Sequence, residues 1–169
     1  MAEAVIALGA NLGNPAEALK VGADELAQTP GVTVRAVSRL YTTSPVESSG
    51  PDYVNAVVRI DTTLTPLNLL KVCQAIENEH GRVRPQGVIN APRTLDLDVI
   101  SYEGVTQQDP VLTLPHPRMH ERLFVLVPLA DVWPDYVLSS GETLSAAIER
   151  VGNTHPDQQI RLLAEESMA

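Results

Sequence analysis

From Tyr53 to Thr62 the chain alternates without interruption: Val54, Ala56, Val58 and Ile60 share one side, and Tyr53, Asn55 and Val57 the other. A period of two is the signature of a strand that buries one face, so the fold has to be built around a sheet. The flanking segments then decide which sheet. Ala4–Leu8 reads as a short apolar strand ending at Gly9, and Gly9 to Gly13 as a turn. A helix follows, with Asn14 as N-cap, Pro15 at its first position, Glu17 at capping-box spacing, and Leu19, Ala23, Leu26 and Ala27 on one face. Pro30-Gly31 stops it, and Val32 to Thr43 reads as a strand with Val32, Val34 and Ala36 in alternation.

Ser44 to Pro51 is a loop of Pro, Gly and Ser leading into the central strand. After it, Thr65 caps a second helix that opens with Pro66, carries Leu69, Leu70, Cys73, Ile76, Glu77 and His80 at helical spacing, and ends at Gly81. A Pro-, Gly- and Asn-rich loop leads to a further strand, Thr94 to Tyr102. The order β-α-β-β-α-β predicts an α+β, ferredoxin-like sandwich, a mainly antiparallel sheet covered by helices. The C-terminal extension reads as a short strand over Phe124–Leu129, a helix over Thr143–Val151 and another helix over Asp157–Glu166.

With 169 residues and no internal repeat or linker, one domain spanning 1–169 is expected. The net charge of −9 argues against nucleic acid and anionic membrane as partners. That charge is unevenly spread. Arg82 to Arg122 holds five Arg and five Asp or Glu, so the stretch is formally neutral and is where an anion would be gripped. The single Cys73 excludes an internal disulfide and a cysteine-based zinc site. No apolar run approaches a membrane span, and the segment Met1 to Leu8 lacks the basic region of a signal peptide, so a cytoplasmic enzyme is the expectation.

Pro92-Arg93-Thr94-Leu95-Asp96-Leu97-Asp98 carries the strongest chemical signal. On a strand Asp96 and Asp98 point the same way, about 7 Å apart, a spacing that suits hard cations shared with phosphate oxygens. Two carboxylates facing water on a half-exposed strand have the same pattern. Arg82, Arg84, Arg93, Arg118 and Arg122 are candidate phosphate contacts, whereas each alone is an ordinary surface residue. No P-loop sequence occurs. Tyr53 and Asn55 share the polar side of their strand, where a ring and an amide can receive a flat heterocycle or pair across the sheet under a helix. Cys73 lies on an apolar stripe and reads as packed.

Taken in order, Ala7-Leu8-Gly9-Ala10-Asn11-Leu12-Gly13, Leu40 to Val46, Pro51-Asp52-Tyr53-Val54-Asn55, Gln74 to Glu77, Gly81 to Arg84, Pro92 to Asp98, and Leu114 to Met119 with Glu121, Arg122 and Phe124 resemble the 6-hydroxymethyl-7,8-dihydropterin pyrophosphokinase family. The resemblance implies ATP as diphosphate donor, two Mg²⁺ ions and a reduced pterin acceptor, with small molecules as partners of a monomer. It implies that Asp96 and Asp98 hold the metals and belong, with Arg82 and Arg93, to the catalytic set. Tyr53, Phe124, Asn55 and the Thr43, Ser44, Pro45, Val46 segment would bind pterin; Gln74, Glu77, Arg82, Arg84, Arg93, His116, Arg118 and Arg122 would bind ATP. The chain departs from the family pattern at Pro85 to Ala91, which has neither charge nor ring, and at Ala10 and Glu47. Two other readings fit the bare residues: another two-metal nucleotide enzyme, and a non-catalytic ligand-binding module.

Overall fold

The computed structural model describes residues 1–11, 13–43, 52–80 and 95–167. Its elements in chain order are β1 (Ala2–Ala10), α1 (Pro15–Ala27), β2 (Val32–Val37), β3 (Arg39–Thr43), β4 (Tyr53–Thr62), α2 (Pro66–Glu79) and β5 (Asp96–Tyr102). Then come the two-residue strands β6 (Gln107–Gln108) and β7 (Thr113–Leu114), a 3₁₀ turn at Met119–Glu121, α3 (Leu123–Val132), α4 (Leu144–Thr154) and β8 (Ile160–Ser167). The expected helix starts are made by the expected residues: Asn14 accepts from the Glu17 N–H at 3.3 Å and Thr65 from the Asn68 N–H at 3.2 Å. α1 ends earlier than Pro30-Gly31, at Ala27 with Gln28 as its C-cap, and Gly31 makes the turn into β2 in a left-handed conformation, φ +87°, that a side chain would strain.

The alternating segment is the centre of the sheet. β1 pairs antiparallel along β4 except at Tyr53, from Ala2 opposite Thr62 to Ala10 opposite Val54. β5 lies antiparallel on the far side of β1, and the strand order is β5-β1-β4-β3-β8, with β2 also on β4. Without β8, this is the ferredoxin-like order that β-α-β-β-α-β predicts. Ile6, Leu8, Ala56, Val58, Leu97 and Val99 form the face covered by Leu19 and Leu26 of α1 and by Leu69, Cys73 and Ile76 of α2. Each of these leucines, fully removed from water, contributes about 2 kcal/mol.

The expected strand from Val32 to Thr43 is two strands laid end to end along β4, broken at Ser38. Ser38 sits fully buried and mends the ladder by itself. Its N–H donates to the Val57 carbonyl at 2.9 Å, and its Oγ accepts from the Val57 N–H at 2.8 Å. Ser38→Ala would strand a buried N–H and is expected to cost about 1–3 kcal/mol, read as a lower urea midpoint with an unchanged slope.

The C-terminal third corrects two expectations. Phe124 to Leu129 is not a strand but the start of α3. Its β-branched residues and internal Pro128 hide a helix that is apolar on nearly every side, because it is buried between the sheet and α4: Val5, Val57 and Ile100 meet Leu126 and Leu129 of α3 and Ala147 and Val151 of α4. Asp157 to Glu166 is not a helix; from Ile160 it is β8, whose pairing with the open edge of β3 overrides its helix-forming composition. The expected helix after Thr143 is present as α4, and Thr143 caps it.

α3 is fastened to the sheet by charge as well as by packing. Arg39 forks onto Asp131, with Nη2 to Oδ1 at 3.0 Å and Nε to Oδ2 at 3.2 Å, while the Tyr41 hydroxyl donates to Oδ2 at 2.8 Å. Burial, then Asp131, pushes the Tyr41 phenol up to about 12. Among the described residues no helix is long and apolar enough to cross a membrane.

Candidate active site

α3 and α4 cover only part of their face of the sheet. The register shows what lies on the rest. Gly9 is opposite Asn55 on one side and Asp96 on the other; the next row is Val57, which α3 already covers, then Ala7 and Asp98. Paired residues point to the same face, so Asn55, Asp96 and Asp98 stand on one floor. Asn55 and Asp96 are two strands apart, about 10 Å, with Gly9 between them. That floor lies in a cavity of about 700 Å³ that is also lined by Thr43, Tyr53, Arg118, Arg122 and Phe124.

Local structure fixes each group. Tyr53 opens β4 opposite Thr43 of β3. Asn55 is 5% exposed, and its Nδ2 donates to Thr43 Oγ1 at 2.7 Å. With its donor committed there, the amide turns its carbonyl oxygen toward Gly9, where an added Cβ would come within 3.3 Å of Oδ1. Gly9 therefore keeps the floor flat and the amide oxygen accessible from above. Asp96 and Asp98 stand at the start of the edge strand β5, Asp96 half-buried and Asp98 exposed. Phe124, in the first turn of α3, lines the same cavity, and the Arg122 guanidinium sits 5.3 Å from its ring centroid. Burial and Arg118 lower the Arg122 pKa, while the Asp98 and Glu121 carboxylates act in the opposite direction. The cleft thus brings arginines, carboxylates, rings and an amide into one lining, with Asn55 and the two aspartates on opposite sides of Gly9.

Of the residues expected from sequence, Thr43, Tyr53, Asn55, Asp96, Asp98, Arg118, Arg122 and Phe124 converge on this cleft. Others are placed beside it. His116 lines a neighbouring cavity of about 690 Å³; its N–H donates to the Ile100 carbonyl at 2.7 Å and its Nδ1 accepts from the Arg118 N–H at 3.2 Å. Desolvation, with Arg122 and Arg118 nearby, lowers its pKa, so its ring is neutral at physiological pH and offers an Nε2–H donor. Gln74 is exposed on α2. Glu77 is 3% exposed, and its carboxylate accepts the Leu97 N–H at 2.9 Å, closing the outer edge of β5 between the two aspartates. Ser44, Pro45, Val46, Arg82, Arg84 and Arg93, and the uncharged Pro85 to Ala91 segment, lie outside the described residues. Cys73 is buried, and its thiol is pushed up to about 12, chiefly by that burial.

The cleft also contains residues that the sequence did not assign to the site: Gly9, Ala7 and Glu121, named only as parts of the resembling segments, and His155, Asp157 and Gln158 in the wall. Gly9 was readable as a small residue at a position where alternation demands an outward side chain. The 155–158 wall was hidden by the helix expected there.

The donor set decides which metal fits. Among the described residues no three His, Cys, Asp or Glu side chains form a cage for a metal ion. Two hard carboxylates on an open floor suit a cation that keeps water and phosphate oxygens in its shell, which is the habit of Mg²⁺.

A family model described as 7,8-dihydro-6-hydroxymethylpterin-pyrophosphokinase matches residues 5–134. The chain is 45% identical over 152 residues to the 2-amino-4-hydroxy-6-hydroxymethyldihydropteridine pyrophosphokinase of Methylorubrum extorquens, covering 89% of this chain and 94% of that one. It is 40% identical over 151 residues to the protein of the same name from Haemophilus influenzae, covering 89% and 93%. Among solved structures, an HPPK-DHPS in complex with substrates superposes with a TM-score of 0.72 at 14% identity, over 90% of this chain and 44% of that one. A Plasmodium falciparum HPPK-DHPS superposes with a TM-score of 0.73 at 16% identity, over 98% and 51%. The chain spans about half the length of these two structures, and the likeness to them is one of fold.

Proposed function

The chain belongs to the 7,8-dihydro-6-hydroxymethylpterin-pyrophosphokinase family, and we propose that the cleft over Gly9 carries out the family's reaction, with pterin at the Asn55 end and phosphates at the Asp96 and Asp98 end. The chain is an ATP-dependent pyrophosphokinase of folate biosynthesis. The hydroxymethyl oxygen of the pterin attacks the β-phosphorus of ATP, the bond from that phosphorus to the α–β bridging oxygen breaks, AMP leaves, and the alcohol gives up its proton. The observation that carries the placement is the register: one flat, side-chain-free residue separates an amide that reads hydrogen bonds from a pair of carboxylates.

The residues divide the work accordingly. Tyr53 and Phe124 bind the two faces of the heterocycle, and the Asn55 oxygen, held by Thr43, accepts from a ring N–H or amino group. Ser44, Pro45 and Val46 belong to the same pterin edge. Arg118 and Arg122 serve the phosphates, the family resemblance assigns Arg82, Arg84 and Arg93 to the same anions, and the neutral His116 donates to the nucleotide. Gln74 reaches the nucleotide from the surface of α2, and Glu77 supports that end by holding β5. Asp96 and Asp98 hold two Mg²⁺ ions, which supply charge neutralisation and alignment of the phosphate oxygens when bound. Alignment of the alcohol and spreading of phosphate charge over arginines account for the acceleration, and no side chain is assigned as general base. One domain, 1–169, acts as a cytoplasmic monomer; the single, buried, unpaired Cys73 fits a reducing compartment.

Incubation with MgATP and 6-hydroxymethyl-7,8-dihydropterin is expected to give AMP and pterin diphosphate in equal amounts, and no AMP without pterin. Pterin-dependent ADP would move the attack to the γ-phosphorus and overturn the proposed placement of phosphates. Binding of both ligands without turnover would leave a ligand-binding module.

A further inference from the structure

Arg122 is the N-cap of α3, and it makes no side-chain cap bond. It has none to make: guanidinium has five donors and no acceptor, whereas the first turn of a helix presents unpaired N–H groups. Ordinary caps at this position are Ser, Thr, Asp or Asn. Here the acceptor comes from 35 residues further along the chain. Gln158 Oε1 accepts from the Leu123 N–H at 3.0 Å, and Gln158 Nε2 donates to the Glu121 carbonyl at 2.8 Å. The two bonds straddle Arg122, so both of its peptide neighbours are held while its own side chain is left to the cleft.

Gln158 is itself held from both sides. The His155 N–H donates to the Val151 carbonyl at 2.8 Å at the end of α4, and the Gln158 N–H donates to the His155 carbonyl at 3.0 Å. Two residues on, Ile160 pairs with Thr43, the partner of Asn55. One short segment, beyond residues 5–134 of the family match, therefore ties the strand that orients Asn55 to the strap that carries Arg122 and Phe124.

We infer that Gln158 is a positioning residue for pterin binding: its amide replaces the cap that Arg122 cannot provide and fixes the Phe124 ring and the Arg122 guanidinium over the floor. The inference rests on the proposed placement of pterin under Phe124. Gln158→Leu removes both bonds at similar size. It is expected to raise the Kd of 6-hydroxymethyl-7,8-dihydropterin about tenfold, as befits two lost hydrogen bonds. Gln158→Glu keeps the acceptor for Leu123 but loses the donor for Glu121, and is expected to raise it about threefold.

A loss of stability alone does not test the idea, so the measurement is a double-mutant cycle with Phe124→Ala, following pterin Kd by titration calorimetry. If Gln158 acts through the strap, Gln158→Leu changes Kd less than about twofold once the ring is gone. The same tenfold loss in both backgrounds, or no loss in the wild-type background, overturns the positioning role. If Phe124→Ala itself leaves pterin binding intact, the placement of pterin fails first, and the inference falls with it. Should Gln158→Leu not fold, the same cycle run with Gln158→Glu gives the decision on its smaller effect.

Discussion

Asp96→Ala and Asp98→Ala are each expected to lower kcat by about a thousandfold or more while leaving the protein folded. Both side chains stand on the open floor and neither belongs to the buried apolar clusters, so truncation removes no packing. In the proposed placement, the truncation takes away oxygen donors at the point where phosphate charge has to be neutralised. The remaining carboxylate cannot replace its neighbour, because the two stand about 7 Å apart along the strand and address different positions. The measurements are single-turnover AMP formation at saturating ATP and pterin, with far-UV circular dichroism and a urea titration as controls. Turnover within about tenfold of wild type in either variant would remove the aspartates from the metal site.

Phe124→Ala is expected to raise the pterin Kd about 30-fold and the ATP Kd by no more than about threefold. Stacking of a base-like ring on an aromatic face is worth about 1–3 kcal/mol, and it acts on the heterocycle alone. Some effect on ATP is anticipated because Arg122 rests over the same ring, 5.3 Å from its centroid, and loses that support. Phe124→Tyr keeps a ring and should recover most of the pterin affinity. Equal losses for the two ligands would place Phe124 between the subsites instead of at the pterin. Both affinities are accessible by calorimetric titration with a non-hydrolysable ATP analogue.

The first two thirds of the fold were legible because local signals and tertiary demands agree there. Asn14, Pro15, Thr65 and Pro66 start helices that then bury their apolar stripes. The alternation from Tyr53 to Thr62 sends Val54, Ala56, Val58 and Ile60 to the face that α1 and α2 cover, although Val57 on the other face is buried as well, under α3. Asp96 and Asp98 were legible for the same reason, since a period of two fixes which way they point. The last third was misread where tertiary context prevails. α3 is helical despite Pro128 and three valines because it is enclosed by sheet and helix, and β8 is a strand because β3 had an edge to pair. The wall of the cleft from His155 to Gln158 went unseen with it. No pattern within the sequence signals that a glutamine will cap a helix that begins 35 residues earlier.

The uncovered part of the sheet has a bearing on solubility. A sheet face left without a helical layer is ordinarily a sticky surface, and open faces and edges are where chains associate. Here the bare rows hold glycine, alanine, an amide and two carboxylates, and their backbone groups are paired within the sheet. These rows thus add little greasy area to the surface. In the proposed placement, a planar substrate on Gly9 beneath Phe124 takes the position that a helix occupies further along the same strands. The ligand would then serve as the missing piece of the second layer, completing the sandwich on binding and reopening it when the product leaves.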